Sequence, residues 1–183
     1  MEDVITNYGS DATRIALAQA GDTLDDANFT IMNSDSAILQ LSTLEMWIKE
    51  SIKNFNNYRE KSTDEKLEFF DLTFQNEMNQ LVKDTIEAYE TMRFRDALKN
   101  GFFEFQAIKD DYKINVGSNG VRKDLILQYI EYQLLLLYPI APHFCEIIYR
   151  DCFYEIAKEK GTLPKYLSLH KYPKVNYNTL DHI

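Results

Sequence analysis

Apolar residues recur every three or four positions through most of this chain, the spacing of α-helices that each bury one stripe. Ile38, Leu41, Leu44, Ile48, Ile52 and Phe55 keep that period from about Ser34 onward and predict a long amphipathic helix. A second helix is predicted to start at Ser62-Thr63-Asp64-Glu65, where Ser62 and Glu65 have capping-box spacing, and to carry Leu67, Phe70, Phe74, Met78, Leu81 and Met92 along one side. A third pattern, Phe94, Ala97, Leu98, Phe102, Phe105, Ile108 and Tyr112, stops at the loop-forming cluster Asn115 to Gly120. A fourth helix spans about Val121 to Tyr138 and is apolar nearly all round at its C-terminal end, as a central bundle helix is. The fifth opens on Pro142 and closes at Lys158-Glu159-Lys160-Gly161. No alternating strand pattern of convincing length accompanies these, so the predicted fold class is all-α, a helical bundle of about five long helices over residues 34–161. Residues 1–33 read as a linker with one short helix, Asp11 to Ala20, capped by Asp11 and ended by Gly21. Residues 162–183 read as a C-terminal tail that leaves the bundle.

Composition strengthens this picture. Of 183 residues, 45% are hydrophobic and 13% aromatic, against six glycines and four prolines, which places the chain far from disordered sequence. The longest apolar run, Leu134 to Ala141, is interrupted by Pro139 and falls well short of the roughly 20 residues a bilayer needs. It reads as buried core, and no membrane partner is expected. The opening Met1-Glu2-Asp3 lacks the basic and apolar regions of a secretory signal, which favours a cytoplasmic setting. Cys145 and Cys152 share a helix face but stand about 10 Å apart along its axis, too far to bridge, so free and mostly buried thiols are expected.

Charge changes the functional picture more. With 29 acidic and 20 basic residues the net charge is −9, the wrong sign for a broad basic surface that grips nucleic acid, and DNA is not an expected partner. A local patch remains: Arg93, Arg95, Lys99, Arg122 and Lys123 cluster near helix ends beside Phe94, Phe102 and Phe103, where they could face phosphates or simply balance the acid surplus. Chemistry is otherwise sparse. His143, His170 and His182 lack a second His or Cys at helical ligand spacing and no Cys-x-x-Cys occurs, so no metal is expected. Asp22, Asp25 and Asp26 read as a solvated turn, Lys109-Asp110-Asp111 as a solvated helix face, and His143 as a structural hydrogen-bonding residue. Neither GxGxxG nor GxxxxGK[ST] is present, so no phosphate cradle and no cofactor are expected of this chain alone, and no residue is a candidate catalyst.

Specificity comes from four stretches in order. Tyr8-Gly9-Ser10-Asp11-Ala12-Thr13-Arg14-Ile15-Ala16-Leu17-Ala18-Gln19-Ala20-Gly21-Asp22-Thr23-Leu24-Asp25-Asp26-Ala27-Asn28-Phe29 closely resembles the segment that follows the KMSKS loop in leucyl-tRNA synthetases of the eukaryotic cytosolic and archaeal type. Phe74 to Leu81 and Met92 to Gln106 look like the next two bundle helices of that family. Leu134 to Phe144, containing Pro139-Ile140-Ala141-Pro142-His143, is similar to an apolar segment shared by class I synthetases for Leu, Ile, Val and Met. The resemblance implies a piece of an enzyme that joins leucine to tRNA(Leu) using ATP and Mg, namely its helical anticodon-binding domain. Its partners would be the tRNA and the remaining synthetase domains. His-x-Gly-His and KMSKS are absent here, as is the editing site, so the resemblance carries over a tRNA-supporting scaffold and no catalytic residue, and the chain alone is expected to be inactive. Family members generally leave the anticodon bases unread, which implies contacts to RNA backbone and shape. The competing expectation is a stand-alone helical protein-interaction module derived from a synthetase.

Overall fold

A computed structural model describes residues 2–21, 31–60, 67–157 and 165–173, and no strand occurs among the described residues. Helix α1 (Glu2–Tyr8) leads into α2 (Ser10–Ala20), which lies along α3 (Ile31–Lys53). Helix α4 (Phe69–Glu90) is followed by α5 (Phe94–Leu98), a π-helical stretch Lys99–Glu104 and α6 (Phe105–Val116). Then come α7 (Lys123–Leu137), α8 (Pro142–Ile148), a second π-helical stretch Tyr149–Phe153 and α9 (Tyr154–Ala157).

The stripe predicted for α3 is buried at Leu41, Leu44 and Ile48, but Ile38 is 38% exposed; Ser34 and Ala37 face inward instead. Ser34 and Ala37, both small, are fully buried on the helix that lies along α2, whose own buried residues include Ala12 and Ala16. Helix α2 is therefore part of the core and not an outlying linker. Ser62 and Glu65 lie outside the described residues; α4 is described from Phe69, with the Glu68 N–H donating to Asp71 Oδ2 at 3.3 Å. The inward face of α4 is Asp71, Phe74, Met78, Val82 and Thr85, whereas Phe70 is 39% exposed and Met92 lies beyond the helix end.

Aromatic rings fill the centre. Phe74 stacks on Tyr112 with centroids 4.3 Å apart, Phe105 stacks on Tyr129 at 5.1 Å, and Trp47 meets Tyr129 edge-on at 5.3 Å. The expectation that Lys109 sits on a solvated face is overturned. Lys109 is buried, with Nζ 4.5 Å from the Trp47 ring centroid and 3.0 Å from Asp110, because its aliphatic stem completes the apolar cover over the indole.

Two further expectations are corrected. Asp11 does not cap its own helix, which begins at Ser10 behind Gly9; its carboxylate reaches across to α8. There the Phe144 N–H donates to Asp11 Oδ2 at 2.7 Å, His143 Nδ1 lies 3.0 Å from Oδ1, and Arg14 pairs with the same carboxylate. Helix α8 starts Ala141-Pro142 and has no capping side chain of its own, so an acid from the chain's beginning satisfies its first turn. The tail does not leave the bundle at once either. Leu167 is 1% exposed and its N–H donates to Glu146 Oε2 at 2.8 Å, while His170 bridges the Tyr149 hydroxyl (2.7 Å) and Glu131 (3.2 Å). The predicted helix end at Lys158 to Gly161 lies outside the described residues.

The π-helical turn after α5 contains a tightly packed glycine. Gly101 is buried where a Cβ would come within 2.7 Å of Thr85 Cγ2, and its carbonyl accepts a 2.8 Å hydrogen bond from the buried Gln133 Nε2 of α7. Gly101→Ala should lower unfolding stability by about 1–3 kcal/mol through overpacking, and adding Thr85→Ala should recover part of it. Urea denaturation of the single and double variants checks this; equal stability of Gly101→Ala and the parent would refute it.

Candidate nucleic-acid interface

The five basic residues singled out in sequence divide between the two ends of α4. At its start the Asp71 carboxylate is fully buried and receives the Arg59 guanidinium at 2.8 and 3.0 Å and the Tyr112 hydroxyl at 2.6 Å. Arg122 lies 3.8 Å from Asp71 and forks onto Asp124 at 3.0 and 2.9 Å, and the Arg122 N–H donates to Tyr112 Oη at 3.1 Å. Main-chain bonds tie the same segments together, Arg59 N–H to Val121 O and Lys123 N–H to Arg59 O. Burial and the Asp71 hydrogen bond push the Tyr112 phenol up, so it stays a donor. Arg122 is only 2% exposed and its guanidinium is used internally, which removes it from the phosphate-contacting candidates. Lys123 is held nearby, its Nζ 3.2 Å from Glu60 and 4.6 Å from the Phe55 ring centroid.

Arg93, Arg95 and Lys99 lie at the other end, all exposed, and α4's 22 residues put about 33 Å between the two groups. They do not form one patch. The chain turns there through a complete Schellman stop: the Arg93 N–H donates to Ala88 O at 2.8 Å and the Met92 N–H to Tyr89 O at 3.1 Å. Met92 occupies the left-handed position with φ 57°, where glycine is the usual residue. Arg93 pairs with Asp96 at 2.8 Å and Glu87 at 3.8 Å. Beside this turn Arg14, Leu17, Ala18, Gly21, Phe94, Pro139 and Ile140 line an open apolar groove of about 290 Å³. The outer face of α4 and α6 has the opposite character, since burial and the neighbouring Asp111 both raise the Glu77 carboxyl above its ordinary range.

Nothing else described has reactive geometry. Burial pushes the Cys145 thiol well up, so no thiolate forms at neutral pH, and among the described residues no three His, Cys, Asp or Glu side chains gather to hold a metal ion. Asp22, Asp25, Asp26 and His182 lie outside the described residues.

Residues 71–182 match the anticodon-binding domain of tRNA ligases. The chain belongs to that family. Relatives are the cytoplasmic leucine–tRNA ligase of Saccharomyces cerevisiae, 47% identical over 151 residues, that of Pongo abelii, 41% over 149, and the leucine–tRNA ligase of Aeropyrum pernix, 33% over 143. These matches take in 82%, 81% and 76% of this chain but only 13%, 12% and 14% of the relatives, so the chain spans about an eighth of their length.

In this anticodon-binding domain the buried Asp71 network escaped the sequence reading. A signal existed: Asp71 stands three positions before Phe74, in register with the apolar face, where a carboxylate needs buried partners. Relief of the left-handed strain provides a test of the exposed turn. Met92→Gly should raise stability by about 1 kcal/mol, because Met92 is 71% exposed and little packing is lost. Thermal unfolding checks it, and a destabilised variant would show that the Met92 side chain holds the turn.

Proposed function

We propose that this chain is the tRNA-supporting segment of a cytoplasmic leucine–tRNA ligase, a longer protein that joins leucine to tRNA(Leu) using ATP and Mg. The single observation that supports it is the run of leucine–tRNA ligase relatives from fungus, animal and archaeon that match across most of the chain. ATP would be held by other parts of that protein. Helices α1 and α2 would bring those parts up to the bundle, with α2 already packed into its core and Asp11 bonded to the first turn of α8.

Within this reading Arg93, Arg95 and Lys99 are the phosphate contacts, with Lys123 a weaker candidate because its side chain is only 23% exposed and its ammonium lies over the Phe55 ring. Such contacts position an RNA without reading its bases, which suits an acidic domain that borrows most of its phosphate neutralisation from elsewhere. Fluorescence anisotropy of labelled tRNA(Leu) tests it. The 183-residue chain should bind weakly, with affinity falling steeply as salt rises. Arg93→Glu with Arg95→Glu should weaken binding about tenfold and flatten the log–log salt slope by about two. Tight, salt-insensitive binding, or a double variant indistinguishable from the parent, would overturn the reading.

A further inference from the structure

We propose that the groove between α4 and α6 beside Phe70 is a docking site for an arginine side chain of a partner protein, flanked in the partner by apolar residues. The surface lies at the Phe69 end of α4, opposite the Arg93 turn, and is separate from the RNA contacts proposed there.

Three features of this surface point to one kind of partner. The first is apolar area left in water: Phe69 is 74%, Phe70 39% and Ile114 75% exposed. Phe69 and Phe70 meet edge-on with centroids 5.5 Å apart, and Ile114 follows Asp111 by one helical turn on α6. The second is the groove itself, whose rim carries Phe70, Glu77, Asp111 and Asn115. Its volume of about 110 Å³ is well below the roughly 300 Å³ at which small-molecule pockets begin, so it suits the head group of a single side chain. Its floor is preformed, because the Phe74 and Tyr112 rings stack with planes 1° apart and the Tyr112 hydroxyl is fixed on Asp71. Such a floor does not have to be ordered on binding.

The third feature is charge without a counterpart. Glu77 stands on the rim from α4 and Asp111 from α6, and neither has a hydrogen bond or ion pair among the described residues. No described lysine or arginine lines the groove. Partial burial and the facing Asp111 already hold the Glu77 carboxyl above its ordinary range, which is the signature of uncompensated like charge. A cation placed between the two converts their repulsion into two attractions.

The chemistry selects arginine. A planar guanidinium can fork between two carboxylates while its face lies on the Phe70 ring, whereas an ammonium supplies only a point charge. The Asn115 side-chain carbonyl offers an acceptor for a remaining N–H. Apolar neighbours of that arginine would cover Phe69 and Ile114, giving a charged anchor inside an apolar contact. The net charge of −9 attracts a basic segment and repels both RNA and a second copy of this chain.

The test titrates the isotopically labelled 183-residue chain with the acetylated, amidated tripeptide Leu-Arg-Leu and follows its amide signals by NMR. Signals of Phe70, Glu77 and Asp111 should move together, with a dissociation constant on the order of millimolar. Leu-Lys-Leu should bind about threefold more weakly, and Leu-Gln-Leu on the order of tenfold more weakly. Glu77→Gln with Asp111→Asn should weaken Leu-Arg-Leu about tenfold while the urea midpoint holds or rises, since a repulsion is removed. Phe70→Leu, which keeps apolar area but loses the π-face, should weaken it about threefold, and this variant decides if the charge pair variant fails to fold. Equal binding of the arginine and glutamine tripeptides would reduce the site to a plain apolar patch and overturn the proposal. Shifts that miss the groove, or no shifts at all, would overturn it too. So would light scattering that shows a dimer dispersed by Phe70→Leu, which would assign the surface to a second copy.

Discussion

Asp71 is a carboxylate with no access to water, and the bundle is arranged so that it is never without partners. A buried charge of this kind is tolerated only when opposite charges and donors surround it, and removing one partner typically costs about 3–5 kcal/mol. Its partners come from the segment before α4 (Arg59), from α6 (Tyr112) and from the start of α7 (Arg122). Each is itself tied to another, through the Arg59 main-chain bonds to Val121 and Lys123 and the Arg122 N–H to Tyr112. The network thus fixes where three parts of the chain meet. The stacked rings of Phe74, Tyr112, Phe105 and Tyr129 continue from it into the core.

The ionic groups at the start of α4 are buried, whereas the ion pairs of Arg93 at its other end are exposed. Arg122 serves the fold, whereas Arg93 and Arg95 stand exposed on a turn that the Tyr89 and Phe94 rings and the buried Ala97 and Leu98 anchor to the bundle. Asp11 supplies a third fixed point by satisfying the first turn of α8, which ties α2 to that helix. In the tRNA-supporting reading, an acidic domain built this way would offer RNA a small contact and little long-range attraction.

Helical periodicity made the fold legible, because α-helices that bury one face must repeat their apolar residues near 3.6. Its errors fell where small residues are buried: Ile38 looked like an inward position but is 38% exposed, while Ser34 and Ala37 are fully buried. Pairings between distant residues were not legible. Nothing local distinguishes Asp11 as the cap of a helix starting at Pro142, or Gln133 as the donor to a carbonyl freed inside a π turn. The candidate basic residues were visible as types, but charge alone could not separate the buried Arg122 from the exposed Arg93.

The division of labour between the ends of α4 is the core of the account, and Arg122→Ala tests it most directly when unfolding stability and tRNA(Leu) affinity are measured on the same preparation. Stability should fall by about 3 kcal/mol as Asp71 and Asp124 lose a partner, while affinity of the folded protein stays within about twofold of the parent. Affinity lost with stability intact would place Arg122 on the RNA and contradict it.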